Sequence, residues 1–297
     1  MIDLQQKAEC VYCGSGSTLM DAHAFHPYVK HFGPFSIYVC QSCRSVFTFP
    51  VPSEQQLQEL YRSYDAGMFE KVAALRRQFP LHAWFNQCLS RIRTFFPDPM
   101  ASFTWIDVGA GEGVMSRLML NHYPRSRGIA IDFHDRPNAL DALSVEWRKM
   151  DLNKPWEALP EADLIFSITV LEHMANPHSF LSSMLETLAQ DGVMYLNCPR
   201  TDALAFRLLG KKWPYYLPGE HISIPSRKGM KILAGRVAGF SNLKDPEIAV
   251  SSVVMPYPLG YYLGYYFNWK TSSYWFNPSI YIPTGMLECT VSGKLSN

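Results

Sequence analysis

Residues 103–124 read FTWIDVGAGEGVMSRLMLNHYP. The run from Phe103 to Val108 is apolar and short, which predicts a buried strand, and VMSRLML at 114–120 predicts a helix. Between them lies Asp107-Val108-Gly109-Ala110-Gly111-Glu112-Gly113. Glycines at alternate positions let the backbone turn sharply and approach a ligand closely, while the following helix offers its free N–H groups at the same place. Glu112 inside this loop is read as a solvated charge near the helix N-terminus, without a chemical role.

The loop is not a dinucleotide fingerprint, which needs Gly-x-Gly-x-x-Gly, nor a P-loop, which needs Gly-Lys followed by Ser or Thr. Instead, Asp107 closes the strand ahead of the glycines. A carboxylate there suits a cationic amine better than a pyrophosphate. This points to S-adenosylmethionine (SAM), whose amino group and sulfonium both carry positive charge. Two further acids follow in order. RGIAIDF predicts a second strand ending at Asp132, placed for ribose hydroxyls as in doubly wound folds, and VEWRKMDL brings Asp151 to the adenine amino group with Leu152 against the ring. ADLIFSITVLEHM predicts a fourth strand and GVMYLNC a fifth, with NPHSFLSSMLETLAQD as the helix between. The alternation implies an α/β fold, a Rossmann-like parallel sheet with helices on both faces. The expected cofactor residues are Asp107, Gly109, Gly111, Gly113, Asp132, Asp151, Leu152 and, on the fourth strand, Ser167.

Working toward the N-terminus, CVYCGS at 10–15 and CQSCRS at 40–45 form two Cys-x-x-Cys knuckles, with 26 residues between Cys13 and Cys40. Two thiolates separated by two residues reach one ion, and a second such pair completes the tetrahedral S₄ set that zinc prefers. Gly14 eases the turn, and FSIYVC reads as a strand of the intervening hairpin. A zinc ribbon held by Cys10, Cys13, Cys40 and Cys43 is therefore expected, structural because four protein ligands leave no open position. A redox role is weaker, because redox Cys-x-x-Cys motifs come singly on a βα unit. Cys88, Cys198 and Cys289 read as small buried hydrophobes. Ser53 predicts an N-cap for a helix over 54–64, and residues 79–96 predict a second helix ending before Pro97. The expected division is a ribbon over 1–50, a helical linker or cap over 51–100, and the α/β domain over 101–297.

Composition narrows the rest. The chain has 297 residues, 47% hydrophobic and 18% charged, with a formal charge of +1. Such a chain folds, and it gives no general electrostatic reason to seek nucleic acid. MIDLQQKAEC lacks a signal-peptide pattern, and no apolar run of 18 residues suggests a membrane span, so a cytoplasmic location is expected. The late segment VVMPYPLGYYLGYYFNWKTSSYWF carries Tyr261, Tyr262, Tyr265, Tyr266 and Phe267 at near-helical spacing. It reads as core, as a homodimer contact or as an acceptor pocket. Membrane contact is disfavoured because there is no basic face. GMLECTVSGKL then reads as a closing strand of the sheet.

The segments IDVGAGEG, IDF, MDL, DLIFSITVLEHMANP and LAQDGVMYLNCP resemble the class I SAM-dependent methyltransferases over about residues 100–200, in order and spacing. The wider layout, a four-Cys ribbon followed by Pro52-Ser53-Glu54 through Leu60-Tyr61 and Tyr64, is similar to the zinc-containing C-methyltransferases of nucleotide-linked deoxysugars and their relatives in natural-product and polysaccharide pathways. GKKWPYYLPGEHISIPS is similar to their post-core segment. The resemblance implies acid/base work for Glu220 and His221, with His221 favoured as general base, and methyl transfer to carbon or oxygen of a small-molecule acceptor. No second Rossmann-like domain follows Pro199, which departs from the deoxysugar enzymes. Glu172-His173 is read as ordering the loop after the fourth strand, with a catalytic or metal-binding role for the pair as the minority reading, and Tyr61 and Tyr64 as capping the cofactor or packing in the core. Two rivals remain. A nucleic-acid methyltransferase would use the ribbon, but lacks charge and an Asn-Pro-Pro-Tyr or Pro-Cys motif; a non-catalytic binding protein is opposed by the intact acids.

Overall fold

The computed structural model describes residues 8–27, 29, 31–63, 82–258 and 279–293. Tyr64 and the aromatic run through Tyr261, Tyr262, Tyr265, Tyr266 and Phe267 lie outside the described residues. The apolar runs of the middle of the chain become five parallel strands: β4 (Thr104–Val108), β5 (Arg127–Asp132), β6 (Val145–Lys149), β7 (Ala162–Ile168) and β8 (Leu188–Pro199). Beyond β8 an antiparallel hairpin, β10 (Glu247–Pro258) and β11 (Ser279–Ser292), extends the sheet, giving the order β10-β11-β8-β7-β4-β5-β6. The closing strand expected at GMLECTVSGKL is the second half of β11, paired with β8 from Met286↔Pro199 to Ser292↔Val193.

Successive strand residues point to opposite faces, and the sequence of β4 shows the result. Ile106 and Val108 join Ile129, Ile131 and Ile165 beneath helices α4 (Pro177–Thr187) and α6 (Arg227–Ala238). Trp105 joins Ala130, Leu164 and Phe166 beneath α2 (His82–Ile92) and α3 (Val114–His122). Both faces are thus covered, which is the arrangement that continuous apolar strands require. Cys88, Cys198 and Cys289 are buried free thiols in these layers.

A second, antiparallel sheet has the order β1-β2-β3-β9, formed by β1 (Ser17–Ala24), β2 (Phe35–Cys40), β3 (Val46–Thr48) and β9 (Ser223–Ile224). The first three strands are the cysteine hairpin; the fourth comes from the segment after the main parallel core. The registers Val46↔Ile224 and Phe47↔Ser223 tie them together. The four ribbon cysteines and Tyr12 belong to the same apolar cluster as β4, α4 and α6. Tyr12 Oη donates to the Ser223 carbonyl at 3.0 Å and Arg236 Nη2 to the Cys13 carbonyl at 2.9 Å. The ribbon is therefore packed into the main body.

Between the two lies α1 (Glu54–Ser63), which starts at a reciprocal cap: the Gln56 amide donates to Ser53 Oγ at 3.2 Å, and the Ser53 amide donates to Gln56 Oε1 at 2.8 Å. A short helix, α5 (Leu204–Leu209), leads from β8 toward the turn at 217–221. Among the described residues, no helix is long and apolar enough to cross a membrane.

Candidate active site

The order of the large sheet reverses between β4 and β7, and in open α/β sheets the crevice outside the carboxyl ends of the strands at such a point takes the ligand. The glycine loop lies on one side of it. Gly109, Gly111 and Gly113 all adopt left-handed backbone, with φ of 75°, 52° and 68°. A Cβ on Gly109 would sit 2.3 Å from Val170 Cγ2, and one on Gly113 would sit 2.6 Å from Leu140 Cγ. A Cβ on Gly111 would meet nothing within 4 Å, so the loop is packed from below and open at its middle glycine. This is a cradle whose backbone a ligand can approach.

Three acids surround the cradle at the ends of adjacent strands. Asp132 Oδ2 accepts from the Gly111 amide at 2.8 Å, and its Oδ1 accepts from the His134 amide and Nδ1, both at 2.9 Å. Burial alone would raise the Asp132 pKa; the bonds from His134 and Gly111 outweigh it and hold the carboxylate below its usual range. Asp107 is buried with Oδ2 accepting from Ser116 Oγ at 2.6 Å. Burial pushes it up to about 7, against the Ser116 bond and with help from the nearby Asp132 charge. The Met150 amide donates to the Asp132 carbonyl at 2.8 Å, which brings the end of β6 alongside. There Asp151 accepts from the Asn153 amide at 3.0 Å and pairs with Lys154 at 3.2 Å, next to buried Leu152. Ser167 is differently placed. It is 1% exposed, and its hydroxyl donates to the Val108 carbonyl at 3.0 Å, pinning β7 to β4. A cradle open at Gly111 and ringed by acids fits a cofactor that carries a cationic amine, a ribose diol and an adenine.

Across the reversal point sits a cluster from two distant segments. Leu171–His173 forms a 3₁₀ turn after β7, and residues 217–221 form a tight turn leading into β9. Ligand atoms of Glu172, His173 and His221 lie within 4.8 Å of one another. The His173 and His221 rings meet edge to face at 4.7 Å. His221 Nδ1 donates to the Tyr215 carbonyl at 2.8 Å, which fixes the neutral tautomer and leaves the lone pair on Nε2. Burial, reinforced by His173 and opposed by Glu220, lowers His221 to about 3. Burial also raises Glu172 to about 8, with the Glu220 charge adding to it.

Glu220 and His221 were expected as an acid/base pair, and the turn sends them in different directions. Glu220 Oε2 accepts from His26 Nε2 at 2.8 Å, while the Val29 amide donates to His26 Nδ1 at 3.1 Å. His26 is thus a neutral donor, with a side chain 0% exposed, and it comes from the loop after β1 in the ribbon. The sequence reading did not single it out: it lies 194 residues from its partner, and nothing local marks it. Glu172 is expected chiefly as part of a loop-ordering pair, with a catalytic or metal-binding role as the minority reading. Its signal was there, an acid immediately after a buried strand, but only the fold shows that it is 1% exposed.

The four cysteine sulfurs also lie within 4.8 Å of one another, with Cys10–Cys43 Sγ at 3.6 Å and Cys13–Cys40 Sγ at 3.4 Å, all buried. Each knuckle closes on a left-handed residue, Gly14 (φ 74°) in the first and Arg44 (φ 68°) in the second. Four converging, buried thiols fit a structural zinc.

Residues 80–244, more than half of the chain, match the family model described as "Methyltransferase domain". Trans-aconitate 2-methyltransferase of Azoarcus sp. (strain BH72) is 29% identical over 129 residues, which cover 41% of this chain and 51% of that protein. The ubiquinone biosynthesis O-methyltransferase of Glaesserella parasuis serovar 5 (strain SH0165) is 26% identical over 193 residues, covering 59% of this chain and 73% of that protein. The chain thus spans about half the length of the first relative and more of the second. Among solved structures, the plantazolicin methyltransferase BpumL in complex with a monoazolic desmethylPZN analog and SAH superposes with a TM-score of 0.54 at 15% identity, over 79% of this chain and 93% of that one. A complex between the Haloferax volcanii Trm112 methyltransferase activator and a methyltransferase gives 0.50 at 12% identity, over 78% and 96%. These two likenesses establish the fold.

The β3–β9 pairing makes the zinc ribbon a support for the turn at 217–221. Cys40→Ser, or chelation, should release one zinc per chain and cost stability on the order of 10 kcal/mol locally. Hydrogen exchange should then accelerate at residues 221–226 together with 35–48. Protection kept at 221–226 after the zinc is gone would show that the turn stands without the ribbon.

Proposed function

Because the chain belongs to the methyltransferase-domain family, we propose that it transfers the methyl group of SAM to carbon or oxygen of a small-molecule acceptor. The observation that carries this reading is the division of the reversal point into two unlike halves. One half is an open glycine cradle with Asp107, Asp132 and Asp151 at the ends of three adjacent strands. The other is a buried cluster with a histidine lone pair at His221 Nε2. SAM supplies a methyl group on a sulfonium, displaced in line by the acceptor, so the protein's task is chiefly alignment. Asp107 faces the amine, Asp132 the ribose, and Asp151 with Leu152 the adenine. The matched relatives are named for trans-aconitate and for ubiquinone biosynthesis, which supports a small-molecule acceptor. The near-neutral charge gives no support to nucleic acid.

His221 is the acceptor-activating residue in this reading. It is unprotonated throughout the physiological range, so its Nε2 pair is always available. The burial that ensures this also makes it a weak Brønsted base, so its strength at this site is as a lone-pair donor. Glu220, bound to His26, holds the turn that presents it.

Two variants test the division of labour. His221→Ala should leave SAM affinity within about twofold while lowering turnover roughly 10²-fold; unchanged turnover would reduce His221 to a structural residue. For Asp107 the test is pH. Its carboxyl must ionise to hold the amine, so wild-type SAM affinity should fall as pH drops below about 7, and Asp107→Asn should bind weakly at all pH with that dependence gone. The stability sign is opposite. A carboxyl whose folded pKa is raised destabilises the protein as pH rises from its unfolded value through about 7, and not below. Without SAM, Asp107→Asn should therefore be more stable than wild type at pH 8, by up to roughly 4 kcal/mol, as read by thermal denaturation.

A further inference from the structure

We propose that Glu172, His173 and His221 form a second metal site, binding one divalent transition-metal ion on the acceptor side of the cleft. It is separate from the four-cysteine site, and its chemistry differs in kind. The donors are two imidazoles and a carboxylate, the set that zinc, manganese and iron(II) accept in open sites, whereas four thiolates make a closed one.

Three independent features point to an ion. First, the ligand atoms of the three residues already converge within 4.8 Å. Donors around one ion at about 2.1 Å lie roughly 3–4 Å apart, so closure needs a movement of about 1 Å. Second, both histidines are oriented as metal ligands are. His221 donates its other ring N–H to the Tyr215 carbonyl, and the His173 ring is hydrogen-bonded to the Glu220 backbone. Carbonyl-held N–H groups of this kind fix the tautomer and aim the remaining lone pair. Third, Glu172 Oε2 and His173 Nδ1 are buried polar atoms without a hydrogen-bond partner among the described residues. A buried acceptor is destabilising when nothing satisfies it. Two such atoms on residues whose ligand atoms converge, beside a third lone pair, are what a cation would satisfy together. It would also supply the counter-charge that a carboxylate at 1% exposure lacks.

The inference rests on the acceptor-side assignment of the cluster and extends it. Three protein ligands leave open positions, and an acceptor hydroxyl or enol with a second oxygen nearby can fill them by chelation. Lewis-acid coordination lowers the pKa of that hydroxyl, the work a weakly basic His221 does poorly. The O–H bond breaks with its proton passing to water, the oxygen pair forms the new O–CH₃ bond, and the C–S bond breaks with its pair going to sulfur. Sulfonium thereby becomes thioether, and charge and atoms balance. The acceptor class favoured is an oxygen nucleophile with a vicinal oxygen donor.

The test uses the full chain, stripped of metal and titrated with Co²⁺ alone. Two equivalents should bind. One shows the thiolate-to-cobalt charge-transfer band of the cysteine site; the other shows only the weaker visible bands of nitrogen and oxygen ligands. Glu172→Gln and His221→Ala should each abolish the second equivalent while keeping the charge-transfer band, which also reports that the variant has folded. A single equivalent in wild type, or a second one that survives the double variant, overturns the site. Independently of any variant, Mn²⁺ should broaden the ring-proton signals of His173 and His221 in wild type, and unbroadened signals overturn it as well. If the chain with only its cysteine site loaded binds SAM and methylates at full rate, the methyltransferase reading stands and the ion has no part in it. If SAM fails to bind in calorimetry, that reading falls, whatever the cobalt count.

Discussion

Two residue pairs, Val46↔Ile224 and Phe47↔Ser223, join the ribbon to the segment that follows the parallel core. A two-residue strand would not hold by itself. It is fixed because the Thr48 amide also donates to the Ile222 carbonyl at 2.8 Å, Tyr12 Oη reaches the Ser223 carbonyl, and Ser223 Oγ donates to the Met174 carbonyl at 3.3 Å. That last bond crosses from β9 to the residue just after His173. The ribbon, the turn bearing Glu220 and His221, and the turn bearing Glu172 and His173 are thus one hydrogen-bonded unit. The His26–Glu220 bond closes it from the far side. A metal-stapled hairpin is a suitable anchor here, since its rigidity does not depend on a large core of its own.

The half of the site facing the cofactor was legible in the sequence because its determinants are local. Three glycines in five residues demand left-handed backbone, an acid stands four residues from the middle one, and the following helix start is fixed by the same loop. The cysteine site was legible for a similar reason: two-residue spacing allows little else. The acceptor half was legible only in part. Glu220 and His221 stood out as neighbours whose side chains should point apart, yet adjacency could not name their partners, and the turn gives one to His26 and the other to Tyr215. His26 and the cluster neighbours at 172–173 are contacts made by the fold and invisible to periodicity. β10 was missed as well. Its sequence, EIAVSSVVMPYP, is neither strictly alternating nor uniformly apolar, because it is the edge strand of the sheet and only partly covered.

The two metal-competent clusters divide along a physical line. In the ribbon every donor is a sulfur, and the ion would be coordinatively complete, so it can only hold structure. In the cleft the donors are nitrogen and oxygen, and they number three. What distinguishes them beyond ligand count is the surrounding shell. The ribbon sulfurs are bonded chiefly by nearby groups of their own knuckles, such as the Cys43 amide to Cys40 Sγ at 3.3 Å. In the cleft, His221 is held by the Tyr215 carbonyl of its own segment, whereas His173 is held by the backbone of Glu220 from a different one. An ion there would be coupled to the position of the 217–221 turn and, through β9, to the ribbon.

Burial is the common cause behind the unusual groups of this cleft. It raises Asp107 and Glu172 and lowers His221, in each case toward the neutral form. A pocket that neutralises its own acids and bases is poorly suited to shuttling protons among them. It is well suited to receiving positive charge from outside, because a cation beside either carboxyl favours its ionised form. Asp107 beside the glycine cradle would be ionised by a neighbouring amine, and Glu172 across the reversal point by an ion. The same desolvation that appears costly in the isolated chain therefore ties ionisation to ligand binding. It does so on both sides of the reversal point.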